Sequence, residues 1–238
     1  MSMKPEIVGY DPGFHNSDLG TSINRLVKDG SYKDQSIICI IPALAQVNTR
    51  AVSCWWNLIF PPNQRVIKLF AQGMEVGEAY SQTIAAIIAD PNMASYKYVL
   101  TIEADNGMPP DGVLKLVRRM EEHPELSCIG GLYWTKGYGG CPQIWGDVKD
   151  PVLNFRPQNP IPGQLVECNG TGMGFNLWRM EMFKDERLRR PWFKTIAGKE
   201  GVGTQDLYFA NDARKNGYRF AVDCDVLVSH IDNEGFSW

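Results

Sequence analysis

The chain has 238 residues, 44% hydrophobic and 21% charged, which is enough for one sizeable core and too apolar for an intrinsically disordered protein. A formal net charge of −3 argues against a protein whose whole surface grips nucleic acid. The sequence has no run of about 18 apolar residues to span a membrane and no apolar signal stretch at its polar N-terminus, so the expected setting is cytoplasmic.

Residues 1–35 are polar, with turn signals at Asp11-Pro12-Gly13 and Lys28-Asp29-Gly30 around a short helix at 22–28, and they read as an N-terminal arm. The rest, 36–238, reads as one domain. The apolar run 36–41 (SIICII), stopped by Pro42, suits a buried parallel strand. A helix at 48–60, a strand at 65–70 and a helix at 76–90 follow. A second buried strand, 98–102 (YVLTI), ends directly on Glu103-Ala104-Asp105-Asn106. Pro109-Pro110 then opens a helix at 111–122, since proline is tolerated in a first helical turn. After a strand at 127–134, the segment 135–165 is rich in glycine and proline and reads as an irregular loop of the kind that often forms a lid. Strands at 165–168 and 174–178, a helix at 206–216 closed by Gly217, strands at 218–222 and 226–229, and a tail at 231–238 complete the chain. Strands alternating with helices imply an α/β fold with a mixed, mainly parallel sheet. The six cysteines are scattered without metal-type spacing and read as free thiols.

In open α/β sheets, ligands bind beyond the carboxyl ends of the strands. Glu103 and Asp105, one residue apart after a buried strand, can turn both carboxylates toward one site, and hard oxygen ligands suit Mg²⁺ or Mn²⁺. The same pair also suits a plain helix-entry turn. Asp206 follows the N-cap candidate Thr204, and is either a carboxylate favoured by the helix dipole or a base for an acceptor hydroxyl. His230 ends the last strand as an edge residue or a ligand, while His15 and His123 do not look catalytic. Gly172, Met173 and Gly174 allow close backbone approach to a ligand, or simply turn the chain into a strand. Trp192 offers an aromatic wall or ordinary packing. The sequence contains no dinucleotide fingerprint, P-loop, zincin motif or nucleophile elbow.

In this order the segments resemble the GT-A glycosyltransferases, especially the family 2-like enzymes, over roughly residues 36–231. The strand ending in Pro42-Ala43 looks like the family's opening strand, whose end meets the nucleotide. Glu103-Ala104-Asp105 is similar to its D-x-D metal motif. GTQDLYFANDARKNGYRFAVDCDVLVSH is similar to its catalytic block, in which an acidic dipeptide opens a helix and a histidine closes the last strand. The resemblance implies Asp105 and His230 as ligands of Mn²⁺ or Mg²⁺, Glu103 assisting, and Asp206 as the base of an inverting transfer. It further implies a UDP- or GDP-linked sugar donor, with substrate contacts from Gly172, Met173, Gly174, Trp192 and Gln205. The acceptor stays open among a glycan, a protein and a modified DNA base, with Lys136, Tyr138, Trp145 and Arg156 as contacts.

Three positions depart from the family pattern. Glu103 replaces the first acid of D-x-D, Gln205 replaces the acid before Asp206, and Tyr80-Ser81 stands where relatives carry Arg-Asn. Two rival readings are a nucleotidyltransferase acting on sugar phosphates and a non-catalytic sugar-nucleotide-binding module. The first is disfavoured by Pro42-Ala43-Leu44-Ala45-Gln46, which lacks the glycine and lysine that grip a triphosphate.

Overall fold

The computed structural model describes residues 6–9, 17–44, 46–196 and 203–232. The Asp11-Pro12-Gly13 turn, His15, Ala45 and the tail residues 233–238 lie outside the described residues.

The central strand β2 (Ile37–Ala43) explains why its sequence is apolar without alternation. Ile38 and Ile40 pack into one core, and Ile37, Cys39 and Ile41 pack into another on the opposite face. Both faces are covered, so every side chain from Ile37 to Ile41 is withdrawn from water. On the first face lie α3 (Val76–Ala89), α6 (Met180–Lys184) and α7 (Gln205–Lys215), contributing Tyr80, Ile84, Phe183 and Phe209. On the second lie α2 (Thr49–Asn57) and α5 (Gly112–Glu122), contributing Trp55, Val113, Leu116 and Met120. The result is a three-layer α/β/α arrangement.

With β1 (Glu6–Gly9), β3 (Val66–Gln72), β4 (Tyr98–Ile102), β6 (Cys128–Leu132), β8 (Leu165–Cys168), β10 (Phe175–Arg179) and β11 (Phe220–Leu227), the eight-stranded sheet has the order β1-β3-β2-β4-β10-β6-β11-β8. It is parallel around β2 and between β6 and β11, and antiparallel where β1, β8 and β10 join. Strand β10 runs antiparallel between β4 and β6, so the start of β10 lies beside the end of β4. That placement builds the site.

Several boundaries differ from the sequence expectation. Strand β2 continues through Pro42 to Ala43 because β4 pairs with it only as far as Ile40; beyond that residue β3 is the sole partner, and a proline at a half-open edge is tolerated. The helix expected at 22–28 is α1 (Ser17–Lys28), and residues 6–9 of the expected arm form β1 on the open side of β3. A four-residue strand is too short to announce itself by periodicity. The two strands expected at 218–222 and 226–229 are one strand, β11, with a register shift between Asp223 and Leu227. Its interior carboxylate, Asp223, is fully buried but accepts a hydrogen bond from Arg119 Nε at 2.9 Å, so the acid does not break the strand. All six cysteines are free.

Candidate functional site

The site begins where β4 ends. The Glu103 N–H donates to the Gly174 carbonyl at 3.2 Å, and the Asn106 N–H closes a turn onto the Glu103 carbonyl at 3.2 Å. The next residues, β5 (Asn106–Gly107), pair antiparallel with β12 (Ser229–His230), setting His230 opposite Asn106. The Asn106 amide donates to the Ser229 carbonyl at 3.1 Å, and the Ile231 N–H to the Asp105 carbonyl at 2.6 Å. A glycine at 107 suits this close pairing, because a Cβ there would press on Ser229 Oγ. This two-residue ladder brings the histidine at the chain's far end onto Asp105.

His230 Nε2 lies 3.3 Å from Asp105 Oδ2, while its Nδ1 lies 2.9 Å from the Trp134 carbonyl. A carbonyl only accepts, so Nδ1 carries the proton, and a neutral ring would turn the lone pair of Nε2 toward the carboxylate. Two acceptors face each other stably only with a proton or a cation between them. A ring whose other N–H is held by a backbone carbonyl is also the usual arrangement of a metal-ligating histidine. Tyr133 packs edge-on against the imidazole, with ring centroids 5.6 Å apart. Lys136 Nζ lies 2.6 Å from the same Oδ2. Burial would raise the Asp105 carboxyl, but its contacts with His230 and Lys136 outweigh it and hold the group at about 2.

Glu103 repels this charge. Glu103, partly covered, is pushed up to about 8 by desolvation first, then by Asp105 and Asp206. Asp206, in the first turn of α7 and 8% exposed, is also raised by desolvation, although it accepts a hydrogen bond from its neighbour Leu207 N–H at 2.8 Å. Thr204 holds the N-cap position without a side-chain capping bond. Gln205 Nε2 reaches Glu103 Oε1 at 3.5 Å; a neutral amide there avoids adding a fourth acid to the group.

Two depressions flank the exposed side chain of Leu44. One, of 440 Å³, is lined by Pro42, Ala43, Glu75, Glu103, Ala104 and Asp105 among others. The other, of 510 Å³, is lined by Val47, Asn48, Asp105, Ile231 and Asp232 among others. Both fall in the range of small-ligand sites. The structure therefore gathers Pro42, Ala43, Glu103, Ala104 and Asp105 around one hollow, with His230 on Asp105 and Gln205 of α7 on Glu103, while the charge of the next residue, Asp206, reaches Glu103.

The remaining predicted contacts are engaged with the protein's own side chains. A Cβ on Gly172 would overlap the Tyr133 hydroxyl, and one on Gly174 would meet the Tyr133 ring at 2.7 Å. The close approach that these glycines permit is thus to the protein's own tyrosine, whose hydroxyl accepts the Gly174 N–H at 3.0 Å. Met173 is buried in the core. Trp192 is 3% exposed, packs edge-on against Phe183 and lies under Arg190, beside a separate depression with Ala85 and Ile88. The loop 135–165 is largely tied down. Its β7 (Ile144–Trp145) pairs with β9 (Gly170–Thr171), and Asn169 Nδ2 donates to the Asn154 carbonyl at 3.0 Å.

Tyr80 and Ser81 play structural parts. Tyr80 is fully buried against Phe193, and Ser81 Oγ both donates to the Phe193 carbonyl and accepts its N–H, each at 3.0 Å. Ser81→Ala is expected to cost roughly 1–3 kcal/mol by leaving two buried backbone groups unpaired, read as a lower urea midpoint with an unchanged m-value.

The chain resembles A197 from STIV. Its crystal structure matches with a TM-score of 0.61 over 85% of this chain and 89% of that one, at 15% sequence identity. At that identity the likeness shows the fold alone, the Rossmann-like GT-A architecture already evident in the mixed sheet with helices on both faces. No protein-family model and no curated protein matches the sequence. Among the described residues, no helix is long and apolar enough to cross a membrane, and no three His, Cys, Asp or Glu side chains form a ready metal cage. Asp105 and His230 nonetheless fit the kind of cation site in which one or two protein ligands hold an ion completed by substrate phosphates and water.

Proposed function

We propose that the protein is a metal-dependent glycosyltransferase that moves a sugar from a UDP- or GDP-linked donor to an acceptor hydroxyl with inversion. The observation that carries this reading is the convergence of Asp105 and His230, 125 residues apart in sequence, at the carboxyl edge of a GT-A sheet beside the hollow lined by Pro42, Ala43 and Glu103. The crowded acids Glu103, Asp105 and Asp206 favour a divalent cation, Mn²⁺ or Mg²⁺, held by Asp105 and His230. When bound, such an ion supplies Lewis-acid stabilisation of the departing nucleoside diphosphate.

The chain's own residues do the rest. Pro42 and Ala43 bound the nucleotide hollow, and Glu103 lies within reach of the ribose side. Asp206 takes the proton from the acceptor hydroxyl as its oxygen bonds to the anomeric carbon. The bond from that carbon to the diphosphate breaks in the same step, and its electron pair leaves on the diphosphate oxygen. Desolvation makes Asp206 a stronger base than an exposed aspartate, which suits that task.

The test is a thermal-shift screen of UDP-, GDP- and dTDP-sugars with and without Mn²⁺, followed by product analysis with the donor that binds. Stabilisation by a UDP- or GDP-sugar that requires Mn²⁺ is expected. An equal shift without metal would overturn the assignment of Asp105 and His230.

A further inference from the structure

Lys136 is the cation that Asp105 already has. It sits on a short hairpin just beyond β6, rooted at the antiparallel bridge between Pro142 and Trp134, the residue whose carbonyl holds His230. The root is firm: Thr135 N–H donates to the Cys141 carbonyl at 3.0 Å, Cys141 N–H to Thr135 Oγ1 at 2.9 Å, and Gln143 N–H to the Tyr133 carbonyl at 2.8 Å. The tip differs. Gly137 and Gly139 have φ of +92° and +78°, a region that favours glycine, and a Cβ on either would meet nothing within 4 Å. A lysine on such a tip can be repositioned without disturbing the core.

Its place sets it in competition with a second cation for one Asp105 oxygen. Lys136 Nζ and His230 Nε2 already share the single oxygen Oδ2 of Asp105, at 2.6 and 3.3 Å. A divalent ion bonds to a carboxylate oxygen at about 2.0–2.2 Å, and an ammonium group cannot stay at hydrogen-bond distance from the same atom without strong repulsion. An ammonium on a four-carbon stem is also a good point-charge partner for phosphate.

Building on the donor-and-metal reading above, we infer that Lys136 is an exchangeable counter-ion. It neutralises Asp105 in the donor-free protein, yields that oxygen to the metal, and transfers its charge to the diphosphate of the incoming donor. Two consequences follow. The lysine competes with the metal when no nucleotide is present and helps hold the diphosphate when it is. Metal and nucleotide therefore bind more strongly together than separately, and this coupling is reciprocal between the two ligands.

The experiment measures Mn²⁺ binding by electron paramagnetic resonance in the wild type, Lys136→Met, Lys136→Arg and Asp105→Ala, each without nucleotide and with UDP or GDP, with circular dichroism to verify folding. Lys136→Met is expected to bind Mn²⁺ alone about fivefold more tightly, as loss of a part-exposed ion pair implies, and to bind the diphosphate in saturating Mn²⁺ about fivefold more weakly. Lys136→Arg keeps the charge and is expected to retain most of the diphosphate affinity. If Lys136→Met changes neither affinity while Asp105→Ala abolishes Mn²⁺ uptake, the counter-ion role is overturned and the metal site stands. A wild type that takes up no Mn²⁺ even with UDP or GDP overturns both.

Discussion

Replacing Asp206 by asparagine is expected to lower sugar transfer by about 10²–10⁴-fold, the usual contribution of a positioned general base, while making the folded protein more stable at neutral pH. Asparagine has nearly the same shape, and its amide oxygen can still accept the Leu207 N–H. The ionised aspartate is favoured by the helix dipole by roughly 0.3–1 kcal/mol, yet its pKa is raised, so desolvation outweighs the dipole and the hydrogen bonds. The sign follows from linkage. A carboxyl whose folded pKa lies above its unfolded value contributes stability that is fully present below the unfolded pKa and is lost as pH rises through the folded one. The asparagine variant should therefore melt higher than the wild type at pH 7, and the gap should close on acidification as the wild-type carboxyl takes up its proton. Melting curves from pH 7 down to the carboxylate range, run beside the transfer assay, check both halves. A variant that keeps its activity would remove Asp206 from the chemistry.

Asp105→Ala is expected to abolish the metal dependence of donor binding. Mn²⁺ affinity should fall by more than the roughly 10–100-fold lost when only a supporting partner of a ligand is removed. Transfer should drop by about 10²–10³-fold, as when one charge-stabilising group is deleted from an active site. The fold should be spared. Asp105 and Lys136 are both part-exposed, so Lys136 can turn to water, and His230 keeps its Nδ1 contact with the Trp134 carbonyl. Mn²⁺ titration and the donor thermal shift read the loss, and near-ultraviolet circular dichroism verifies the core. Undiminished Mn²⁺ binding would place the ion elsewhere.

These expectations rest on residues that were legible to different degrees. The apolar run at 98–102 matches β4, because a strand buried on both faces must be apolar throughout. The acids that follow it were visible because a loop at the carboxyl end of such a strand is where an α/β sheet binds ligands. Asp206 was visible as an acid in a first helical turn. His230 was visible only as a strand-end histidine, since nothing local says that it meets Asp105. Lys136 reads only as one of several acceptor contacts, because a lysine in a glycine-rich turn has no periodicity that would aim it. Gly172 and Gly174 show the converse: glycine announces close approach, but only the position of Tyr133 shows what approaches.

By itself, the sequence determined the α/β class, the buried strands, most of the helices and the residue types able to do the chemistry. Those follow from local physics: apolar patterning, proline and glycine geometry, and the charges at element ends. Tertiary structure alone decided the antiparallel insertion of β10, the continuity of β11 through Asp223, the pairing of His230 with Asn106 that seats the imidazole, and the Trp134–Pro142 hairpin that brings Lys136 to the same carboxylate oxygen. Those depend on contacts between segments tens to more than a hundred residues apart. Their energy comes from burial and pairing that no short window of sequence contains.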